Sequence, residues 1–281
     1  MESSNRLSHI LQFTLPDGVI DSYGLVGAFC ACLTPEDSAL LLIEAAEERL
    51  DIRDAVLRKV CADIDIAFKK CHEDLLDALL TKLSTTGSRG RQSLGYCLST
   101  LAIHMPLPER HRIQTNFLHS KYIVIRRRAY KSIAQGSDIP FEAMETTWQR
   151  FSDPECAWLI VKTFPVDFLL AHRTELEAIL TEGWQFSRLY MRIGEVDPSV
   201  LKDLKSKDEI SYCYVMAKLK MPIQVDEAIH IVNRMSNDDR FGLLVWSFGQ
   251  LGLWEVLQHI EEQLTAIQEQ RIKAIKMRHV T

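Results

Sequence analysis

Apolar residues recur along nearly the whole chain at spacings of three and four, the period at which side chains share one face of an α-helix. The pattern predicts helices over 35–50, 52–69, 71–85, 89–104, 108–119, 121–135, 141–151, 154–164, 166–182, 185–194, 198–206, 208–220, 224–235 and 238–250. Segments 5–13 and 18–33 precede these, and 253–278 follows. The breaks carry helix grammar. Thr34-Pro35-Glu36-Asp37 sets a hydroxyl cap before a proline at the first helical position, with acids in the first turn where the helix dipole favours them. Asp153-Pro154-Glu155, Pro165-Val166-Asp167 and Asp197-Pro198-Ser199 mark further joints, since proline opens a helix or stops one. Tyr122-Ile123-Val124-Ile125 is β-branched, but it runs on into Arg126-Arg127-Arg128-Ala129-Tyr130 with helical period, so length decides for helix. The expected fold class is all-α.

From about residue 71 the helices come as short pairs whose second members begin near 89, 121, 154, 185, 208 and 238. A repeat of about 23 to 33 residues is too small to bury its own apolar face, so neighbouring pairs must share a core. This predicts an α-solenoid of stacked antiparallel helix pairs over 70–252, with an N-terminal helical section at 1–69 and a capping helix at 253–281, in one continuous domain. An irregular helical bundle is the alternative. Ile125-Arg126-Arg127-Arg128-Ala129-Tyr130-Lys131-Ser132-Ile133-Ala134 resembles the second helix of a HEAT repeat, and Asp239-Arg240-Phe241-Gly242-Leu243-Leu244-Val245-Trp246-Ser247-Phe248-Gly249 is similar in outline. The chain thus resembles the HEAT and armadillo-type repeat family in architecture over 70–252. In that family an aspartate before the second helix often partners the arginine. Here the position six before Arg126 is Ser120, so the ladder is not carried over at that point. The resemblance implies a superhelix with an extended binding surface and leaves the chemistry open.

Composition changes this picture little. The chain has 281 residues, 47% of them hydrophobic and 25% charged, which suits a globular core. Seven cysteines, at 30, 32, 61, 71, 97, 156 and 213, lie mostly in apolar stretches. They read as reduced, buried thiols. With no basic-then-apolar leader in Met1-Glu2-Ser3-Ser4-Asn5-Arg6, a cytoplasmic location is expected. The longest uncharged run, Ser22 to Thr34, falls short of the about 20 residues a membrane span needs, so no membrane association is expected.

Charge changes more. Residues 78–137 hold ten basic side chains against one acid, a balance of +9, whereas 1–77 hold seven against fifteen (−8) and 138–281 hold sixteen against twenty-two (−6). A basic middle in an acidic chain predicts a site for something anionic, with internal docking against the acidic first section as the alternative. At 100° per residue Arg126 falls among the apolar positions of its helix, Arg128 and Lys131 fall opposite, and Arg127 lies at the margin. The candidate partner-binding residues are therefore Arg89, Arg91, Arg127, Arg128 and Lys131, with Tyr122 as an aromatic platform and Tyr96 as another. A protein partner bearing an acidic segment is expected, and nucleic acid is the alternative. Some HEAT-like proteins, the alkylpurine DNA glycosylases, set aromatics, an acid and arginines on a concave surface. Trp148, Arg150, Asp153 and Trp158 are the residues to weigh for that role, although none matches the family's motif position by position.

No catalytic residue, metal or cofactor is assigned. Cys30-x-Cys32 and Cys71-His72 lack the partners of a four-ligand zinc site, and Glu227-x-x-His230 is a single copy of a motif that di-iron bundles use twice. Ser199-x-x-Lys202 lacks the companion motifs of a serine hydrolase. Leu253, Leu257, Ile260, Leu264 and Ile267 make a short heptad-like stripe, read as a cap on the open end of the stack in preference to a dimer seam.

Overall fold

The computed structural model describes residues 25–48, 50–136 and 139–263. All regular structure in them is helical, with no strand among the described residues. The chain divides after Arg150 into two compact units. The first contains α1 (Leu25–Ala31), α2 (Pro35–Glu48), α3 (Leu50–Ala62), α4 (Ile64–Thr85), α5 (Ser88–His104), α6 (Leu107–Leu118) and α7 (Ile123–Gln135), and α8 (Phe141–Phe151) ends at the division. The second holds α9 (Pro154–Thr163), α10 (Val166–Ala171), α11 (Arg173–Ile179), α12 (Gly183–Gly194), a 3₁₀ turn (Pro198–Val200), α13 (Leu201–Lys207), α14 (Glu209–Leu219), α15 (Val225–Met235), α16 (Phe241–Gln250) and α17 (Trp254–Gln263).

Local chemistry accounts for most boundaries. The Thr34 hydroxyl accepts the Asp37 backbone N–H at 3.1 Å and so caps α2. Asp208 accepts the N–H groups of Ile210 and Ser211, both at 3.2 Å, and caps α14. Asp153 precedes α9 but makes no side-chain cap, and it is buried instead. The break expected at 69–71 lies at Asp63: Lys69-Lys70-Cys71 contains nothing that stops a helix, and α4 runs through it. The single helix expected over 166–182 is interrupted at His172, whose backbone leaves the helical region. Segment 5–13, the first part of 18–33 and the last part of 253–278, including Leu264 and Ile267, lie outside the described residues. Within α17, Val256, Leu257 and Ile260 are buried against α15 and α16. No described helix is long and apolar enough to cross a membrane.

Helices pack on their next-but-one neighbours as well as on their sequence neighbours. In the first unit α3 meets α5 and α5 meets α7. In the second, α9, α12, α14 and α16 form a row, each touching the next, while α15 meets α17. The core is aliphatic: Leu94, Leu98, Leu101, Ile125 and Ile133 in one unit, Ile160, Leu189, Ile193, Val215 and Phe248 in the other. Close approach is bought with glycine at two crossings. A Cβ on Gly95 would lie 2.9 Å from Ile125 Cδ1 and 3.1 Å from the Arg128 stem, and one on Gly194 would lie 2.7 Å from Leu201 Cδ2.

Four arginines share a device at the joints. Each donates from its own helix to carbonyls at or just beyond the carboxyl end of an earlier one, where backbone acceptors have no partner inside the helix. Arg91 on α5 reaches the Thr86 carbonyl at 2.7 Å, and Arg110 on α6 reaches those of Ala102 (3.0 Å) and Met105 (3.3 Å). Arg126 on α7 reaches Ser120 at 2.8 Å, and Arg192 on α12 reaches Val161 and Phe164, both at 2.7 Å. Arg126 is buried, as its helical phase predicts, and its acceptor is the carbonyl of Ser120.

Candidate interaction surfaces

The six candidate residues of the first unit fall into three settings. Arg91 is half-buried, its guanidinium 3.5 Å from the centre of the Tyr122 ring, with Lys121 Nζ 5.2 Å from the same ring. Arg89, Arg127 and Lys131 are exposed, the last two one turn apart on α7. Arg128 departs from expectation. Helical phase predicts the outer face for it, but its stem runs over Gly95, its Nη2 donates to the Gln92 carbonyl at 3.2 Å, and burial lowers its pKa. The cause is α5: a glycine opposite Ile125 opens a slot that the neighbouring arginine fills. Tyr96 is partly exposed under Arg53, whose guanidinium lies 4.5 Å from the ring centre while its Nη1 donates to the Ser93 hydroxyl at 3.1 Å. Both tyrosines therefore already carry a cation on one ring face.

Of the residues weighed for a glycosylase-like surface, two are covered. Trp148 is 3% exposed and Asp153 8%, so both belong to the core, whereas Arg150 is exposed and Trp158 half-buried. Among the described residues no group of three His, Cys, Asp or Glu side chains is placed to hold a metal. Two open grooves flank α6, of about 680 Å³ beside α4 and about 550 Å³ beside α8, with His111, Thr115 and His119 common to both. Arg112 and Asp77 form an ion pair in the first.

The second unit holds a surface that sequence reading missed. Along the row α9, α12, α14 and α16, an aromatic residue is followed four positions later by a cation or an amide: Trp158 and Lys162, Trp184 and Arg188, Tyr214 and Lys218, Trp246 and Gln250. Residues four apart share a helix face. Every one of these eight side chains is exposed or half-buried, while Leu159, Leu189, Val215 and Val245 beside them are in the core. The stripes meet between helices. Trp158 and Trp184 pack edge to face at 4.5 Å, and Tyr214 and Trp246 lie 5.5 Å apart at 40°. Lys162 Nζ is 5.9 Å from the Trp158 ring, and Lys218 Nζ is 4.8 Å from Trp246 and 5.5 Å from Tyr214.

The chain matches no family model, no curated protein and no solved structure.

The eight residues sit one per turn, so each helix alone reads as ordinary amphipathic sequence. The legible signal was the recurrence itself, aromatic-x-x-x-basic in three helices and aromatic-x-x-x-amide in the fourth, with the aromatics 26, 30 and 32 residues apart.

Proposed function

We propose that the protein is a non-enzymatic scaffold, a HEAT-like stack of helix pairs that binds a partner protein on the face presented by one row of helices. The observation that carries this reading is the α9–α12–α14–α16 row, whose exposed and half-buried positions include four aromatics and three cations. Aromatics and arginine are the residues most enriched in the energetically dominant parts of protein interfaces. Contiguous exposed rings on a folded chain mark contact sites more often than chance decoration. The reading is tested by affinity capture of the tagged full chain from its native cell at physiological salt, with co-purifying protein quantified. A stoichiometric protein partner is expected. A small-molecule turnover activity in the absence of any stoichiometric partner would overturn it.

A second reading rests on the +9 balance of residues 78–137, which would suit nucleic acid through Arg89, Arg127 and Lys131 on the first unit. Binding of labelled single- or double-stranded oligonucleotide at low salt, falling steeply as salt rises, is its signature.

A further inference from the structure

We infer that the aromatic and cationic face of the second unit takes an extended acidic segment of a partner protein, held in the polyproline II conformation with a carboxylate at every third residue. This rests on the scaffold reading and specifies its partner.

Charge selects the sign of the ligand. Lys162, Arg188 and Lys218 have no carboxylate within ion-pair distance among the described residues, although 138–281 is acidic by 22 to 16. Five acids of this unit are engaged elsewhere: Glu177 with Arg173 and Lys207, Asp203 with Arg173, Glu227 with Lys205, Glu209 with Arg234, and Asp208 with Arg240. Three cations on one face are thus without a paired carboxylate among the described residues; Glu155, one turn before Trp158, is the acid nearest in sequence to the stripe of α9.

Spacing selects the conformation. The cations stand on α9, α12 and α14, three successive members of the row. Packed helices lie about 8–10 Å apart. A polyproline II segment rises about 3.1 Å per residue with three residues per turn, so residues i, i+3 and i+6 lie on one side at intervals of about 9.3 Å. A β-strand would place residues three apart on opposite sides. Carboxylates at i, i+3 and i+6 meet successive cations, and the intervening residues lie on Trp158, Trp184, Tyr214 and Trp246. Aromatic-lined grooves suit proline, whose fixed φ lowers the ordering cost of binding. The rings are less suited to nucleotide bases. Trp158 and Trp184 meet edge to face, and Lys218 approaches both Tyr214 and Trp246, so neither pair forms an open parallel slot.

The test uses the full chain and fluorescein-labelled twelve-residue probes in anisotropy titrations: a Glu-Pro-Pro repeat, a peptide of identical composition with all glutamates at one end, and oligouridylate. The repeat peptide is expected to bind at least tenfold more tightly than either of the others. The Lys162→Glu/Lys218→Glu double variant should weaken it by more than tenfold, and Trp184→Ala should weaken it about tenfold. Trp184 is 56% exposed, so its removal spares the core, and thermal melts confirm that each variant is folded. Equal binding of the two peptides, tighter binding of oligouridylate, no binding of the repeat, or unchanged binding by folded variants overturns the inference. Should the folded double variant still capture the native partner in full, the scaffold reading stands and this inference falls. Should neither protein capture any partner while the repeat peptide binds as expected, the scaffold reading falls instead.

Discussion

Replacing Arg192 by methionine isolates one of the joint arginines, because it keeps the length and apolar stem while removing both hydrogen bonds. The guanidinium donates to Val161 and Phe164, each at 2.7 Å, and so fastens α12 to the carboxyl end of α9. A hydrogen bond from a charged donor contributes about 1.5–3 kcal/mol, and ordering an arginine returns up to about 2 kcal/mol of rotamer entropy. The net loss for Arg192→Met is therefore about 1–4 kcal/mol. For a domain of this size that corresponds to a fall in Tm of about 3–12 °C. Arg192→Lys keeps the charge near the helix end but reaches one carbonyl, and it should lose about half as much. Urea unfolding followed by tryptophan emission is the suitable assay, since four of the five tryptophans, Trp158, Trp184, Trp246 and Trp254, belong to the second unit. A methionine variant within about 0.5 kcal/mol of the parent would refute the assignment of Arg192 as a structural joint. A lysine variant equal to the parent would show that charge at the helix end suffices and the fork geometry does not matter.

Three further outcomes follow from the same geometry. Arg126→Ala should lower stability by about 3 kcal/mol, from a lost hydrogen bond to Ser120 and a lost buried stem, whereas Lys131→Ala should change it by less than about 0.5 kcal/mol; denaturant melts separate the two. Burial by itself raises the pKa of Asp208, but hydrogen bonds from Arg240 and Ser211 more than reverse this and leave it lowered. Its contribution to stability is therefore complete above the unfolded carboxylate value of about 3.9 and is lost as pH falls through the folded one, so the parent should lose stability on acidification more steeply than Asp208→Asn. Burial pushes the thiols of Cys97 and Cys213 up to about 12, so a thiol reagent at pH 8 should label exposed Cys32 in the native protein and reach those two only on unfolding, as read by mass spectrometry of the labelled peptides.

What the sequence conveyed depended on the range of the interaction. Thr34 acts within three residues, so its cap is visible in the local order of polar and apolar positions. Arg126 was placed correctly because one helix's own phase decides which side is covered. Arg128 was not, because its position is decided by Gly95 on another helix. The aromatic and cationic face was harder still. Trp158 and Trp184 resemble packing residues until α9 and α12 are set side by side, and which helices become neighbours is a property of the whole array.

The joint arginines also bear on how the chain is made. The last carbonyls of α9 are completed only by a side chain 28 to 31 residues downstream, so that helix leaves the ribosome with its end unfinished. A nascent chain ending between Phe164 and Arg192 has α9 without its clasp, whereas one extended through Gly194 closes it. Successive arginines would then fasten the chain in the order of synthesis, like stitches that each lock the one before. Truncation, permutation or pausing within such an interval should leave a frayed helix end exposed to proteases, at a position that the arginine's own number predicts.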